Sequence, residues 1–294
     1  MEIKKDRLVR GTALEGRVRA FAVRTTELVD ELRRRHDTYP VTTAALGRTV
    51  TAAAMMGAML KGKEELVITV KGNGPVGRIN AEANAFGEVR GYVQNPHVHL
   101  PSNSLGKLDV AGAVGTEGFI DVVKDLGLKE PYRGSVPIVS GELGDDFTYY
   151  FAASEQTPAA VGLGVLVEPD NSVRVAGGFI IQLLPGLSDA EITDIERALG
   201  TLPSVTTLLD QGLEPEDMLR RLLPDTAVLD ELDIRFSCSC TRERVEQTLV
   251  SLGQQELERL IEEDEQTEVV CHYCNERYLF NRDELQVILD QAKS

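Results

Sequence analysis

The period of polar and apolar positions changes several times over the first 187 residues, and each change marks an expected element. Arg17-Val18-Arg19-Ala20-Phe21-Ala22-Val23-Arg24 alternates with period two, as a strand does. Thr25 or Thr26 then caps a helix through about Asp37. Glu27 lies in its first turn and Arg33, Arg34 and Arg35 in its last, so both ends complement the helix dipole. Residues 41–60 are rich in Ala, Thr, Met and Gly, the composition of a tightly packed helix that another element can approach closely. Strands are expected near 65–71, 76–83 and 88–94, with Gly72-Asn73-Gly74-Pro75 as the first turn. Gly72, Gly74 and Gly77 also spell G-x-G-x-x-G. A dinucleotide site needs a helix after those glycines, whereas Pro75 and the alternation Val76-Gly77-Arg78-Ile79-Asn80 point to a second strand and a hairpin. Further strands are expected at 118–125 and 132–139. A helix at 142–154 carries Phe147, Tyr149, Tyr150 and Phe151, an aromatic set suited to a core. Segments 160–168 and 173–183 form a hairpin around Glu168-Pro169-Asp170-Asn171.

Pro185-Gly186 ends this regime, and from Ser188 the pattern is helical. Ser188 with Glu191 makes a capping box, and Ile192, Ile195 and Leu199 share one face. Shorter helical pieces follow, carrying Val205, Leu208 and Leu209, then Met218, Leu219, Leu222 and Leu223. They are broken at Pro203, Gly212, Pro215 and Pro224. No piece is long enough to be stable alone in water, so each must dock its apolar stripe somewhere.

Charge changes the picture. The 294 residues carry a net charge of −16, unevenly spread. Residues 1–187 hold 21 Lys and Arg against 22 Asp and Glu, while residues 188–294 hold 10 against 25. An acidic region repels phosphate backbones, which argues against nucleic-acid binding. Hydrophobic content of 42% and charged content of 27% fit a globular protein. No apolar run reaches transmembrane length, and the N-terminus lacks the apolar core of a signal peptide. The expectation is a cytoplasmic protein with no membrane partner.

Candidate chemistry is confined to the C-terminus. All four cysteines fall in Cys238-Ser239-Cys240 and, about thirty residues on, Cys271-His272-Tyr273-Cys274. Two tight thiol pairs make a tetrahedral set for Zn²⁺, each pair filling two corners from one short segment. His272 could replace one sulfur, but four thiolates already complete the shell. Asn275 stands where haem attachment would need histidine. In a cytoplasm such a cluster reads as a metal or redox site rather than a disulfide framework. The 59 residues of 236–294 are few for a self-sufficient core. Zinc can contribute roughly 10–16 kcal/mol of apparent binding energy, so this module should fold around its metal. Arg235, Arg242, Arg244 and Arg277 flank the pairs and could offset thiolate charge. His97 and His99 lack an acidic or cysteine neighbour in the sequence and read as part of a loop. No nucleophile elbow, P-loop or H-E-x-x-H is present, and no enzyme is expected.

The C-x-C…C-x-x-C pattern, the Gly177-Gly178-Phe179-Ile180-Ile181-Gln182 run and Ser154-Glu155-Gln156-Thr157-Pro158 resemble the redox-regulated heat-shock holdase family of bacteria, the thirty-three-kilodalton chaperones. The resemblance implies an α+β fold: a core at 1–185, a helical acidic linker at 186–235 and a small zinc-binding redox-switch domain at 236–294. It implies one Zn²⁺ held by Cys238, Cys240, Cys271 and Cys274 in a reduced, largely inactive state. Oxidation would release the metal, loosen linker and module, and give an active homodimer that holds unfolded client proteins without ATP. Of the three pairings four cysteines permit, Cys238–Cys240 with Cys271–Cys274 is the one expected in that oxidised state. Each such bridge closes only a tiny ring and leaves the two segments untied. Two other readings stay open at this point: a zinc-ribbon adaptor with a purely structural metal, and a dithiol oxidoreductase, which would need a βαβ context around Cys271.

Overall fold

The computed structural model describes residues 4–263 and 265–292. In chain order, β1 (Arg7–Ala13) and β2 (Val18–Arg24) precede α1 (Thr26–His36) and α2 (Pro40–Gly57). Strands β3 (Glu65–Gly72), β4 (Arg78–Asn84) and β5 (Glu88–Val93) then lead to the short α3 (Val110–Val114). Next come β6 (Gly118–Asp125), β7 (Tyr132–Pro137), α4 (Leu143–Ala153), β8 (Ala159–Val167) and β9 (Val173–Leu183). The following segment holds α5 (Asp189–Thr201), α6 (Val205–Asp210), α7 (Pro215–Leu222), β10 (Ala227–Asp233) and β11 (Arg235–Phe236). The chain ends with α8 (Arg242–Ser251), α9 (Gln254–Glu263), β12 (Gln266–Val270), β13 (Arg277–Asn281) and α10 (Arg282–Ala292). The fold is α+β, in two compact units that meet in sequence at Ser237 and Cys238.

The first unit is built from two sheets. One has the order β10-β1-β2-β9-β8, the other β11-β5-β4-β3-β6-β7. Helix α2 packs against strands of both. Nearly all its side chains are buried, and its small residues are what allow this. A Cβ on Gly47 would lie 2.7 Å from Val29 and 2.8 Å from Val165, and one on Gly57 would lie 2.9 Å from the Ala83 Cβ. Phe147, Tyr150 and Phe151 of α4 fill the same core, as their clustering predicts, while Tyr149 is partly exposed.

The glycines at 72–77 form a hairpin, with Lys71 opposite Arg78 in an antiparallel register. Gly72 and Gly74 are small because backbone passes close by. A Cβ on Gly72 would sit 1.9 Å from the Val114 carbonyl oxygen. The arginines ending α1 are no basic patch. Arg33 and Arg34 pair with Asp30 at 2.8 and 3.1 Å, and Arg34 and Arg35 pair with Glu31 at 2.6 and 2.7 Å. His97 does find an acid, from 60 residues earlier in the chain: its Nε2 lies 3.0 Å from Asp37 Oδ2.

Strand β2 is buried on both faces. Phe21 and Val23 join the core around α2, whereas Val18, Ala20 and Ala22 face a second apolar cluster. Val9, Ala13, Phe179 and Ile181 of the neighbouring strands share that second face. It is covered by the segment after Pro185: Ile195 from α5, Val205, Leu208 and Leu209 from α6, and Met218, Leu219 and Leu222 from α7. The apolar stripes that could not persist alone are docked here. The capping box of α5 forms as its residues predict. The Ser188 N–H donates to Glu191 Oε2 at 2.8 Å and the Glu191 N–H to Ser188 Oγ at 3.3 Å. The structure also shows strands that the hydrophobic pattern leaves unannounced. β1 lies antiparallel between β2 and β10, pairing Arg7 with Asp233 and Thr12 with Ala227.

The second unit holds α8, α9, the β12–β13 hairpin and α10 around a small core of its own. Val245, Leu249, Leu257, Phe280, Leu285, Ile288 and Leu289 are its buried apolar side chains. Among the described residues, no helix is long and apolar enough to cross a membrane.

Candidate metal centre

Cys238 and Cys240 stand on the extended stretch just before α8. Thr241 fixes the end of that stretch by capping the helix, its Oγ1 accepting from the Arg244 N–H at 3.3 Å. Cys271 and Cys274 stand on the turn joining β12 to β13. The Cys271 N–H donates to the Glu276 carbonyl at 2.9 Å, and the Asn275 N–H to the Cys271 carbonyl at 2.8 Å. Asn275 takes a left-handed φ of 58°, which Asn tolerates better than most residues and which closes the turn.

These two local structures bring together the four sulfurs named from the sequence. All lie within 4.8 Å of one another, and none is in a disulfide. Cys238 Sγ is 3.8 Å from Cys271 Sγ, and Cys240 Sγ is 3.0 Å from Cys274 Sγ. Metal–sulfur bonds of about 2.3 Å in a tetrahedron place sulfurs about 3.8 Å apart, so a set this size and this soft can hold a metal ion. His272 is not part of the converging set among the described residues. Burial pushes the Cys240 and Cys274 thiols up from their ordinary range. A cation entering the site must therefore displace protons, and its hold strengthens as pH rises.

One residue at the site escapes the sequence reading. The Tyr278 hydroxyl donates to Cys240 Sγ at 3.3 Å, and this bond together with burial pushes the phenol's own ionisation up. Such partners orient ligand sulfurs and tune their basicity. The only signal was its place on a strand just after the C-x-x-C turn. The flanking arginines mostly face other groups. Arg242 donates to the Leu279 carbonyl and Glu284, and stacks over Phe280 at 4.3 Å. Arg277 pairs with Glu268, and Arg235 with Glu88 in the first unit. Arg244 alone braces the C-x-C stretch, through the Ser239 carbonyl at 3.0 Å. The C-x-x-C turn joins two antiparallel strands, with Gln266 opposite Asn281 and Val270 opposite Arg277. That is not the βαβ setting of a dithiol oxidoreductase.

Known proteins resemble the chain along nearly its whole length. A 33 kDa chaperonin of Brevibacillus brevis is 58% identical over 285 residues, covering 97% of this chain and 98% of that protein. A Bacillus cereus 33 kDa chaperonin is 54% identical over 288 residues, covering 97% and 99%. The crystal structure of a Thermotoga maritima 33 kDa chaperonin, a heat shock protein 33 homologue, superposes with a TM-score of 0.92 at 41% identity, covering 98% of this chain and 99% of that one. The family profile described as Hsp33 protein matches residues 6–281, and the chain belongs to that family.

Proposed function

We propose that this chain, a chaperone of the Hsp33 family rather than an enzyme, holds unfolding proteins without ATP and is gated by the oxidation state of Cys238, Cys240, Cys271 and Cys274. The convergence of four cysteine sulfurs from segments 33 residues apart carries the reading. Zinc, when bound, keeps the sulfurs as thiolates and ties the two segments together. Each disulfide formed removes two electrons and two protons from a thiol pair. Hydrogen peroxide accepts them and leaves as two waters, and a disulfide sulfur is no longer a thiolate ligand.

Every sulfur is close enough to every other for any pairing, so chain entropy decides which pairing opens the module. Cys238–Cys240 and Cys271–Cys274 leave the two segments free of each other. The module's small core is then poorly able to persist, and the linker joined to it in sequence at Ser237 loosens with it. Helices of 13, 6 and 8 residues have little stability of their own once undocked. Their departure bares the apolar face of β1, β2 and β9 to clients, and the oxidised form is a homodimer. A reducing cytoplasm is the compartment in which thiols rest free.

The test treats the reduced protein with peroxide at an unfolding temperature. Thiol content, released metal and suppression of client aggregation are followed together. The three are expected to change in step. Suppression unaltered by oxidation, or metal retained after the thiols are lost, would instead support a purely structural metal site.

A further inference from the structure

The sheet face beneath the linker is apolar in its middle and cationic around its border. Lys4, Arg7, Arg17, Arg24 and Arg174 all belong to the core, and each pairs with a carboxylate of the linker. Arg7 meets Glu216 at 2.7 Å and Glu231 at 3.1 Å. Arg17 meets Glu191 at 2.8 Å. Arg174 meets Asp210 at 2.6 Å. Glu214 gathers three cations at once, Lys4, Arg7 and Arg24. The Arg24 side chain is only 5% exposed beneath this cover.

A face meant for any apolar chain would gain nothing from five cations at its edge. A neutral or basic segment lying on it would leave Arg24 and Arg7 desolvated and unpaired, which costs free energy. A segment with acids beside its apolar stripe restores the pairs. The linker is such a segment, with 12 acidic against 4 basic residues over 188–235.

Resting on the reading that the linker leaves on oxidation, we infer that the bared face selects clients by charge. The segments it takes from unfolding proteins are apolar stripes bordered by Asp and Glu, the chemistry of the linker itself. Basic or neutral apolar segments are discriminated against by the unpaired arginines.

The probe is a fluorescent peptide of residues 203–224, titrated by anisotropy against the oxidised full-length protein. A second peptide carries Asp210→Asn, Glu214→Gln and Glu216→Gln, which keep every apolar side chain. The native peptide is expected to bind at least about tenfold more tightly, with the gap shrinking in high salt as exposed charges are screened. Polyglutamate, which has charge without apolar residues, should not displace it. Equal binding of the two peptides overturns the inference, as does displacement by polyglutamate, which would make the face a general polyanion site. In the full-length protein, Arg7→Gln with Arg174→Gln should narrow the gap, and Arg7→Lys with Arg174→Lys should restore it. Should the Gln variant misfold, the two peptides on the unaltered chain still decide. Aggregation suppression in the same preparation separates the two claims. Suppression without charge discrimination removes the client class alone, and absence of suppression removes the holdase reading.

Discussion

Leu219 measures how firmly the linker is held. It is fully buried in α7, against the face formed by β1 and β2. Leu219→Ala deletes that contact and leaves a cavity, and buried Leu→Ala changes cost about 2–5 kcal/mol. Taking about 3 kcal/mol, the undocked fraction rises roughly a hundredfold, since each 1.4 kcal/mol is a factor of ten. Leu229 is the control. It also belongs to the linker, on β10, but is 62% exposed, so Leu229→Ala should change little. Both variants would be made in the reduced, metal-loaded protein, and cleavage within 188–235 would be timed at low protease concentration. The expected result is faster cleavage for Leu219→Ala, confined to the linker, while α2 stays intact. Aggregation suppression before any oxidant is added should rise with it. If Leu219→Ala and Leu229→Ala are cut at the same rate, or if cleavage spreads through the core at once, docking of the apolar stripes is not what keeps the linker in place.

Three further outcomes are expected. Burial raises the Asp6 carboxyl from 3.8 to about 6, so the folded state holds its proton more tightly than the unfolded state. Stability from this group is therefore greatest below about pH 4 and is lost as pH rises through about 6, a swing of about 3 kcal/mol. Asp6→Asn should gain on the parent at neutral pH and lose most of that advantage by about pH 4 in denaturant titrations; parallel curves would refute this. Tyr278→Phe removes the donor to Cys240 Sγ, and metal transfer to a chromophoric chelator should quicken severalfold. An unchanged rate would leave that hydrogen bond without a role. Peptide mapping of the oxidised, active protein should find Cys238 joined to Cys240 and Cys271 to Cys274, and a dominant cross-link between the two segments would sink the proposed gating.

What could be read from the sequence was what neighbouring residues decide between themselves. The C-x-C and C-x-x-C pairs, the Ser188–Glu191 capping box and the 72–75 turn each need only a few adjacent residues, and each appears where expected. Helix α2 was legible because small residues in a long run leave few other structures. β1 and β10 were not legible. Arg7-Leu8-Val9-Arg10-Gly11 lacks clean alternation, and 227–233 is largely exposed and acidic. Each becomes a strand because the other lies beside it, more than two hundred residues away. The charge pairs between core and linker share that difficulty, since an acidic linker can be counted but its partners cannot. Tyr278 was hidden for a smaller reason. A tyrosine on a strand signals packing, and only the fold brings its hydroxyl to a sulfur.

The pairing of Arg7 with Asp233 also bears on how the protein is made. Its five-stranded sheet opens near the N-terminus and cannot be completed until residue 233 has been synthesised. The chain therefore depends on contacts of very long sequence separation, which slow folding. At about 5–20 residues per second, a growing chain that has passed β9 spends several seconds before β10 exists. During that interval the segment that covers the outer face of β1, β2 and β9, from α5 to α7, is itself still being made. The face proposed above to take clients is thus uncovered until α5 to α7 have been made, and the sheet itself is complete only when β10 joins β1.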